Sequence, residues 1–205
     1  MQPSFSIEEQ HQNKIICGVD EAGRGPLAGP VVAACVILNK DNLIAGINDS
    51  KKLSKIKRQK LFNEITKNHK FATGVVDAKI IDEINILQAT KLAMLQAFCN
   101  LQKKYQIFPE IILVDGNFVP FDKFDKIQKI LPIIKGDAKS LSIAAASIIA
   151  KETRDEIMLN IHQEFPNYAF DKHAGYPTKS HIKAICDFGI CPYHRQTFQP
   201  IKLML

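Results

Sequence analysis

Apolar residues recur with two different periods along this chain, and the alternation between them predicts a layered α/β domain. Ile15 to Asp20, Val31 to Leu38 and Phe71 to Ala78 are short apolar runs bounded by turn residues, as expected of buried strands. Ile111 to Val114 is apolar without alternation, which suits a central strand covered on both faces, and Ile130 to Ile134 repeats the pattern on a smaller scale. Elsewhere the period lengthens to that of helices. One is predicted from about Lys55 to Asn68 with Ser54 as N-cap. A longer one is predicted after Asn85, where Gln88 completes a capping-box-like pattern and Ile86, Ala89, Leu92, Ala93 and Ala97 form the inner face. It should stop before Pro109. Further helices are predicted from about Ser140 to His162 and from about Thr178 to Phe188, followed by a proline-bounded tail.

Four acids stand at the ends of the predicted strands: Asp20 and Glu21 after the first, Asp115 after the fourth, and Asp137 shortly after the fifth. In an open α/β sheet the strand ends gather at one edge, where ligand crevices form. Like charges brought together there raise one another's pKa unless cations neutralise them. Two divalent ions roughly 3.5–4 Å apart would do so, and would also clamp the attacking and leaving oxygens of a phosphodiester. A single acid such as Asp115 or Asp137 is more simply read as a helix cap or solvated turn, but the four together favour the metal reading. Neighbouring side chains on a regular strand point to opposite faces. Asp20 and Glu21 can therefore share one ion only if Glu21 leaves regular pairing, for which Ala22-Gly23 offers a break.

Charge narrows the partner. Lys and Arg number 27 against 21 Asp and Glu, a formal net charge of +6, which points to an anionic partner with nucleic acid foremost. Gly23, Arg24 and Gly25 would let backbone and guanidinium approach a phosphodiester closely. The glycine spacing does not fit the dinucleotide fingerprint, and a strand follows it where a helix is required. No Walker sequence is present. Asn48-Asp49-Ser50-Lys51-Lys52 precedes a predicted helix N-terminus, so Lys51 and Lys52 on the turn are candidate phosphate ligands. Lys55, Lys57, Arg58 and Lys60 fit a solvated helix face equally well. Tyr176, between Gly175 and Pro177, either presents its ring to a sugar or base or packs as a loop aromatic.

Other chemistries find little support. The six histidines form no His-Glu-x-x-His arrangement, and His11, His69 and His162 read as surface residues. Ser142 and Ser147 lie inside a helical pattern without a nucleophile elbow. Cys17, Cys35, Cys99, Cys186 and Cys191 form no Cys-x-x-Cys pair and read as reduced, mostly buried thiols. The first residues lack the basic and apolar regions of a signal peptide, and no apolar run is long enough to span a bilayer. The expectation is a cytoplasmic protein that does not enter a membrane.

Gly18-Val19-Asp20-Glu21-Ala22-Gly23-Arg24-Gly25-Pro26-Leu27, Asn48-Asp49-Ser50-Lys51-Lys52-Leu53-Ser54, Val114-Asp115-Gly116-Asn117, Lys135-Gly136-Asp137 and Gly175-Tyr176-Pro177-Thr178, with the helix from Ser142 to Asp155, together resemble bacterial ribonuclease HII. The blocks keep their order from about residue 14 to residue 198. The resemblance implies a ribonuclease H-like fold: a mixed central sheet in which three antiparallel strands lead into parallel ones, flanked by helices. It implies a single domain over 1–205, with a catalytic core over about 14–165 and a C-terminal helical extension over about 166–205, acting as a monomer.

By the same resemblance, Asp20, Glu21, Asp115 and Asp137 are the catalytic carboxylates and bind two Mn2+ or Mg2+ ions. The substrates implied are RNA/DNA hybrids and duplex DNA containing ribonucleotides, cut on the 5′ side to leave a 3′-hydroxyl and a 5′-phosphate. Ribonucleotide removal and degradation of primer RNA are the implied roles. Gly23, Arg24, Gly25, Asn48, Ser50, Lys51, Lys52 and Tyr176 fall at substrate-binding positions. Ala174, where relatives often carry lysine, and the segment from Gln196 to Pro200 depart from the pattern, which bears on affinity and salt dependence. The competing reading is a catalytically silent binder of hybrids.

Overall fold

The computed structural model describes residues 2–11, 13–121 and 126–204. Five strands, β1 (Ile16–Ala22), β2 (Val31–Ile37), β3 (Lys70–Val76), β4 (Ile111–Asp115) and β5 (Lys129–Ile133), form one sheet in the order β3-β2-β1-β4-β5. β1, β2 and β3 pair antiparallel, while β4 and β5 run parallel to β1. This is the mixed sheet expected. Pro132 lies in β5, an edge strand, where a missing amide is tolerated.

Side-chain alternation divides the sheet between two helical layers. Cys17, Val19, Ala33, Cys35, Ile112 and Val114 face α3 (Ala78–Tyr105), whose buried stripe includes Ala89, Ala93, Ala97 and Phe98. Ala34 and Val36 face the opposite way, toward α2 (Lys55–Asn68) and α4 (Leu141–Glu164). Small residues set these spacings. A Cβ on Gly18 would lie 2.1 Å from the Ser142 carbonyl carbon, and one on Gly74 2.1 Å from the Ala93 carbonyl oxygen. Substitution at either position would push a helix off the sheet, at a cost of about 1–3 kcal/mol.

The helix starts follow from side-chain caps. Ser54 accepts from the Lys57 amide and Ser140 from the Ile143 amide, each satisfying a donor that helix geometry leaves free. Glu8, in the short α1 (Ser6–Glu9), is buried and accepts from the Ser140 hydroxyl at 2.6 Å and the Ser142 amide at 2.9 Å. A carboxylate thus sits at the positive end of α4.

Three expectations need correction. β3 stops at Val76, before Ala78, because Asp77 caps a helical segment and accepts from the Ile80 amide at 2.9 Å. Asn85 does cap the longer helix, accepting from the Leu87 and Gln88 amides, but it does so at a kink with φ 68° inside α3. His69 is buried, not on the surface: its Nδ1 accepts from the Asn39 amide at 3.0 Å, and burial lowers its pKa. Cys17, Cys35 and Cys191 are buried, while Cys99 and Cys186 are exposed; all five are free thiols.

Beyond α4, the helices α5 (Phe170–His173) and α6 (Lys179–Phe188) close over a third apolar cluster containing Leu27, Met158, Tyr168, Phe170 and Ile201. Leu27 follows β1, so this helical extension is packed directly onto the glycine loop. Among the described residues no helix is long and apolar enough to cross a membrane.

Candidate active site

β1 outruns its parallel neighbour. Pairing with β4 is registered from Ile16↔Ile111 to Val19↔Val114, so Asp20 is the first residue of β1 beyond that ladder. Alternation puts Asp20 on the α4 side with Gly18, and Asp115 on the same side with Ile111 and Leu113, which pack on Ile143. Asp137 stands in the tight turn Gly136–Ala138 just before α4. Gly136 donates its amide to Asp115 Oδ1 at 2.6 Å, tying that turn to the end of β4.

The acids act on one another electrostatically. Asp20 is buried, and its carboxyl is pushed well above the usual range by burial first, then by Glu21, Asp115 and Asp137. Burial also raises Glu21, with Asp115 adding to it and Arg24 opposing. Asp137 is raised by burial, then by Asp115 and Asp49. A set of buried, mutually repelling carboxylates calls for positive charge.

The residues fit a hard divalent cation. Glu21 Oε2 is buried without a hydrogen-bond partner, and all four donors are carboxylate oxygens, which Mg2+ and Mn2+ favour. Among the described residues no group of three or more His, Cys, Asp or Glu side chains is already gathered into a metal cage. The acids are near enough to shift one another's pKa.

Glu21 does not leave the ladder. It pairs with Ala33, and Ala22 pairs with Val32, so β1 stays regular against β2 to its end. The expected break is instead on the other side, where β4 has already stopped pairing. Glu21 still feels Asp115 and Lys51, and its Oε1 lies 3.3 Å from Arg24 Nη1.

Lys51 is the positive counterpart. Burial acts to lower its pKa, but Asp20, Asp137, Asp49 and Asp115 together raise it. Its loop is built from within. Asn48 Oδ1 accepts from the Asp49 amide and Asp49 Oδ1 from the Lys51 amide, while the buried Ser50 hydroxyl is 2.7 Å from that of Ser147 in α4. Ser50 therefore faces inward and anchors the loop. Lys52 is exposed beside Asp49 at 3.8 Å. Arg58 is also structural, buried and paired with Glu152 and Asp155.

Gly23, Arg24 and Gly25 leave β1 directly beneath the extension. A Cβ built on Gly25 would be 3.8 Å from Tyr176 Cε1, so the loop and the half-exposed ring form one surface. The Ala174 carbonyl is turned inward and accepts from the buried Arg154. The Gln196 and Thr197 amides are held by Asp82 of α3. A groove of about 620 Å³ between α2, α4 and α5 is lined by Lys55, Lys151, Glu152, Asp155, Lys172 and Tyr176 among others, and by none of the four acids.

Three residues that shape the site escaped the sequence reading. Asp49 acts electrostatically on both Asp137 and Lys51. Arg154 and Arg195 are fully buried against the glycine loop. An arginine between the apolar turns Ile149-Ala150 and Ile157-Met158 was the available signal for Arg154.

Known proteins share this architecture. The family model for ribonuclease HII matches residues 17–201. The ribonuclease HII of Rickettsia bellii (strain OSU 85-389) is 55% identical over 192 residues, covering 94% of this chain and 93% of the relative. The crystal structure of ribonuclease H2 from Pyrococcus horikoshii OT3 superposes with a TM-score of 0.73 at 26% identity, covering 92% of this chain and 96% of that one. A solved Bst-RNase HIII in complex with Mn2+ shares the fold, with a TM-score of 0.72 at 20% identity over 94% of this chain and 70% of that one. The mixed sheet, its helical layers and the match across almost the whole length place this chain in the ribonuclease HII family.

Proposed function

We propose that this protein hydrolyses the RNA strand of RNA/DNA hybrids and cuts on the 5′ side of ribonucleotides embedded in duplex DNA. The observation that carries the reading is the buried Asp20 carboxyl, held among Glu21, Asp115 and Asp137 at the open edge of the sheet. Asp20, Glu21, Asp115 and Asp137 would hold Mn2+ or Mg2+. Bound there as a pair, such ions supply Lewis acidity, a nucleophile available at neutral pH, and stabilisation of both oxygens of an in-line displacement.

The chain's own residues do the rest. Water forms a new bond to phosphorus, the bond to the 3′ oxygen breaks, and that oxygen takes up a proton, leaving a 3′-hydroxyl and a 5′-phosphate. Lys51, kept charged by the acids around it, faces the phosphate. Arg24 adds a second cation, and Asn48 and Ser50 hold the Lys51 loop in place, with Lys52 at its solvent side. Amides of Gly23-Arg24-Gly25 read the 2′-hydroxyl that separates RNA from DNA, while Tyr176 stacks on the adjoining deoxyribose. Removal of ribonucleotides from DNA and of primer RNA are the roles that fit this chemistry.

The test is incubation with a DNA duplex carrying one ribonucleotide, with Mg2+, with Mn2+ and with a chelator, followed by mapping of the product ends. Metal-dependent cleavage 5′ of the ribonucleotide is expected. Tight binding without cleavage under any condition would favour a silent hybrid binder.

A further inference from the structure

Arg154 and Arg195 are both completely buried, and their hydrogen bonds run to backbone carbonyls. Arg195 donates to Gly23 O at 2.6 Å, Arg24 O at 3.0 Å, and Gly29 O at 2.8 and 3.0 Å. Arg154 donates to Pro30 O at 2.9 Å, Ala28 O at 3.0 Å and Ala174 O at 2.9 Å. The acids whose charge they feel are engaged elsewhere: Asp155 with Arg58 and Lys151, Asp82 with Gln196 and Thr197. Burial lowers Arg154 to about 10, and burial with repulsion from Arg154 lowers Arg195 to about 9. Two desolvated cations are expensive where apolar side chains could fill the space. Their arrangement suggests a function beyond packing.

That function follows from peptide geometry. In a trans peptide the C=O and N–H point in opposite directions. With Gly23 O and Arg24 O turned inward to Arg195, the amides of Arg24 and Gly25 point outward. Among the described residues neither amide donates to a protein acceptor. Only glycine permits this seat, because a Cβ on Gly23 would lie 2.1 Å from Arg154 Nε. Arg154 binds the carbonyl two residues before Tyr176, and the Leu27 amide donates to Gly175 O at 2.8 Å, so loop and ring are fixed as one block.

We propose that Arg195, braced by Arg154, is the positioning residue that aims the Arg24 and Gly25 amides at the 2′-hydroxyl of the ribonucleotide, an inference resting on the ribonuclease reading above. The test is fluorescence anisotropy in EDTA, where no turnover intervenes, comparing a duplex with one ribonucleotide against the all-DNA duplex of the same sequence. Wild type should favour the ribonucleotide duplex. In Arg195→Met that preference should fall about fivefold or more, the worth of a hydrogen bond, while affinity for all-DNA duplex stays within about twofold. Arg195→Lys, which keeps the charge and loses the fork, should fall between. If Arg195→Met does not fold, Arg195→Lys decides. An unchanged preference in the folded variant, or equal weakening on both duplexes, overturns the proposal. A wild type without any preference sinks the ribonucleotide reading itself, and the positioning role with it.

Discussion

Gly136 gives its amide to Asp115 Oδ1 across 2.6 Å, so the turn bearing Asp137 is fastened to the strand end bearing Asp115. Residues 21 positions apart in sequence are thereby locked into one electrostatic unit. A Cβ on Gly136 would meet Ile143 Cδ1 at 2.6 Å and Asp115 Oδ1 at 3.2 Å. Gly136→Ala should therefore displace the Asp115 carboxylate and lower kcat by about tenfold to a hundredfold, with only a modest drop in Tm. Single-turnover cleavage and thermal melting check this; full activity would show that the coupling does not matter.

Ser147 anchors the Lys51 loop from the far side. Ser147→Ala leaves the buried Ser50 hydroxyl without its partner, at a cost of about 1–3 kcal/mol. If the Lys51 loop faces the phosphate as proposed, loosening it should raise KM more than it lowers kcat. Steady-state kinetics on a short hybrid decide: a fall in kcat at unchanged KM would place the loop in the chemical step instead.

Tyr176 lies against Gly25. Tyr176→Ala should reduce selectivity for the RNA–DNA junction more than it harms the metal site. The ratio of cleavage rates on a single-ribonucleotide duplex and on a continuous hybrid measures this. Equal loss on both would contradict the assignment.

The extension contains a buried histidine pair, with His181 Nε2 and His194 Nε2 at 3.1 Å. Burial, then His181, pushes His194 down to about 4 from its ordinary 6.5; burial also lowers His181 and His173. Between these limits the unfolded chain binds more protons than the folded one. The stability from His194 is therefore complete above pH 6.5 and is lost as pH falls toward 4. The raised site acids, Asp20, Glu21 and Asp137, act with the opposite sign, so the informative quantity is a difference. His194→Gln should lose less Tm than wild type between pH 7.5 and 5; parallel curves would refute the linkage.

Local rules explain what the sequence revealed and what it hid. Strand-end acids, the Ser54 cap and the Asn85 cap depend on neighbours within a few residues, so they were readable. The expected departure of Glu21 from regular pairing does not occur, because β2 continues alongside β1 as far as Ala22 through Ala33 and Val32. His69 is buried where a surface residue was expected, because a polar side chain looks exposed until its partner, here the Asn39 amide, is known. The partners of the two buried arginines are carbonyl oxygens, which leave no trace in residue identity, so the apolar flanks of Arg154 marked its burial but not what it binds.

Asp20→Asn tests the central claim most directly, because it removes one charge from the buried cluster while keeping the oxygen that accepts from the Glu21 amide. The measurement is the cleavage rate of a duplex with one ribonucleotide at saturating Mg2+, with Tm recorded on the same preparation. The account predicts a loss of about a thousandfold with metal-free Tm unchanged or higher, since a like-charge repulsion has been relieved. A variant that cuts within tenfold of wild type would contradict it.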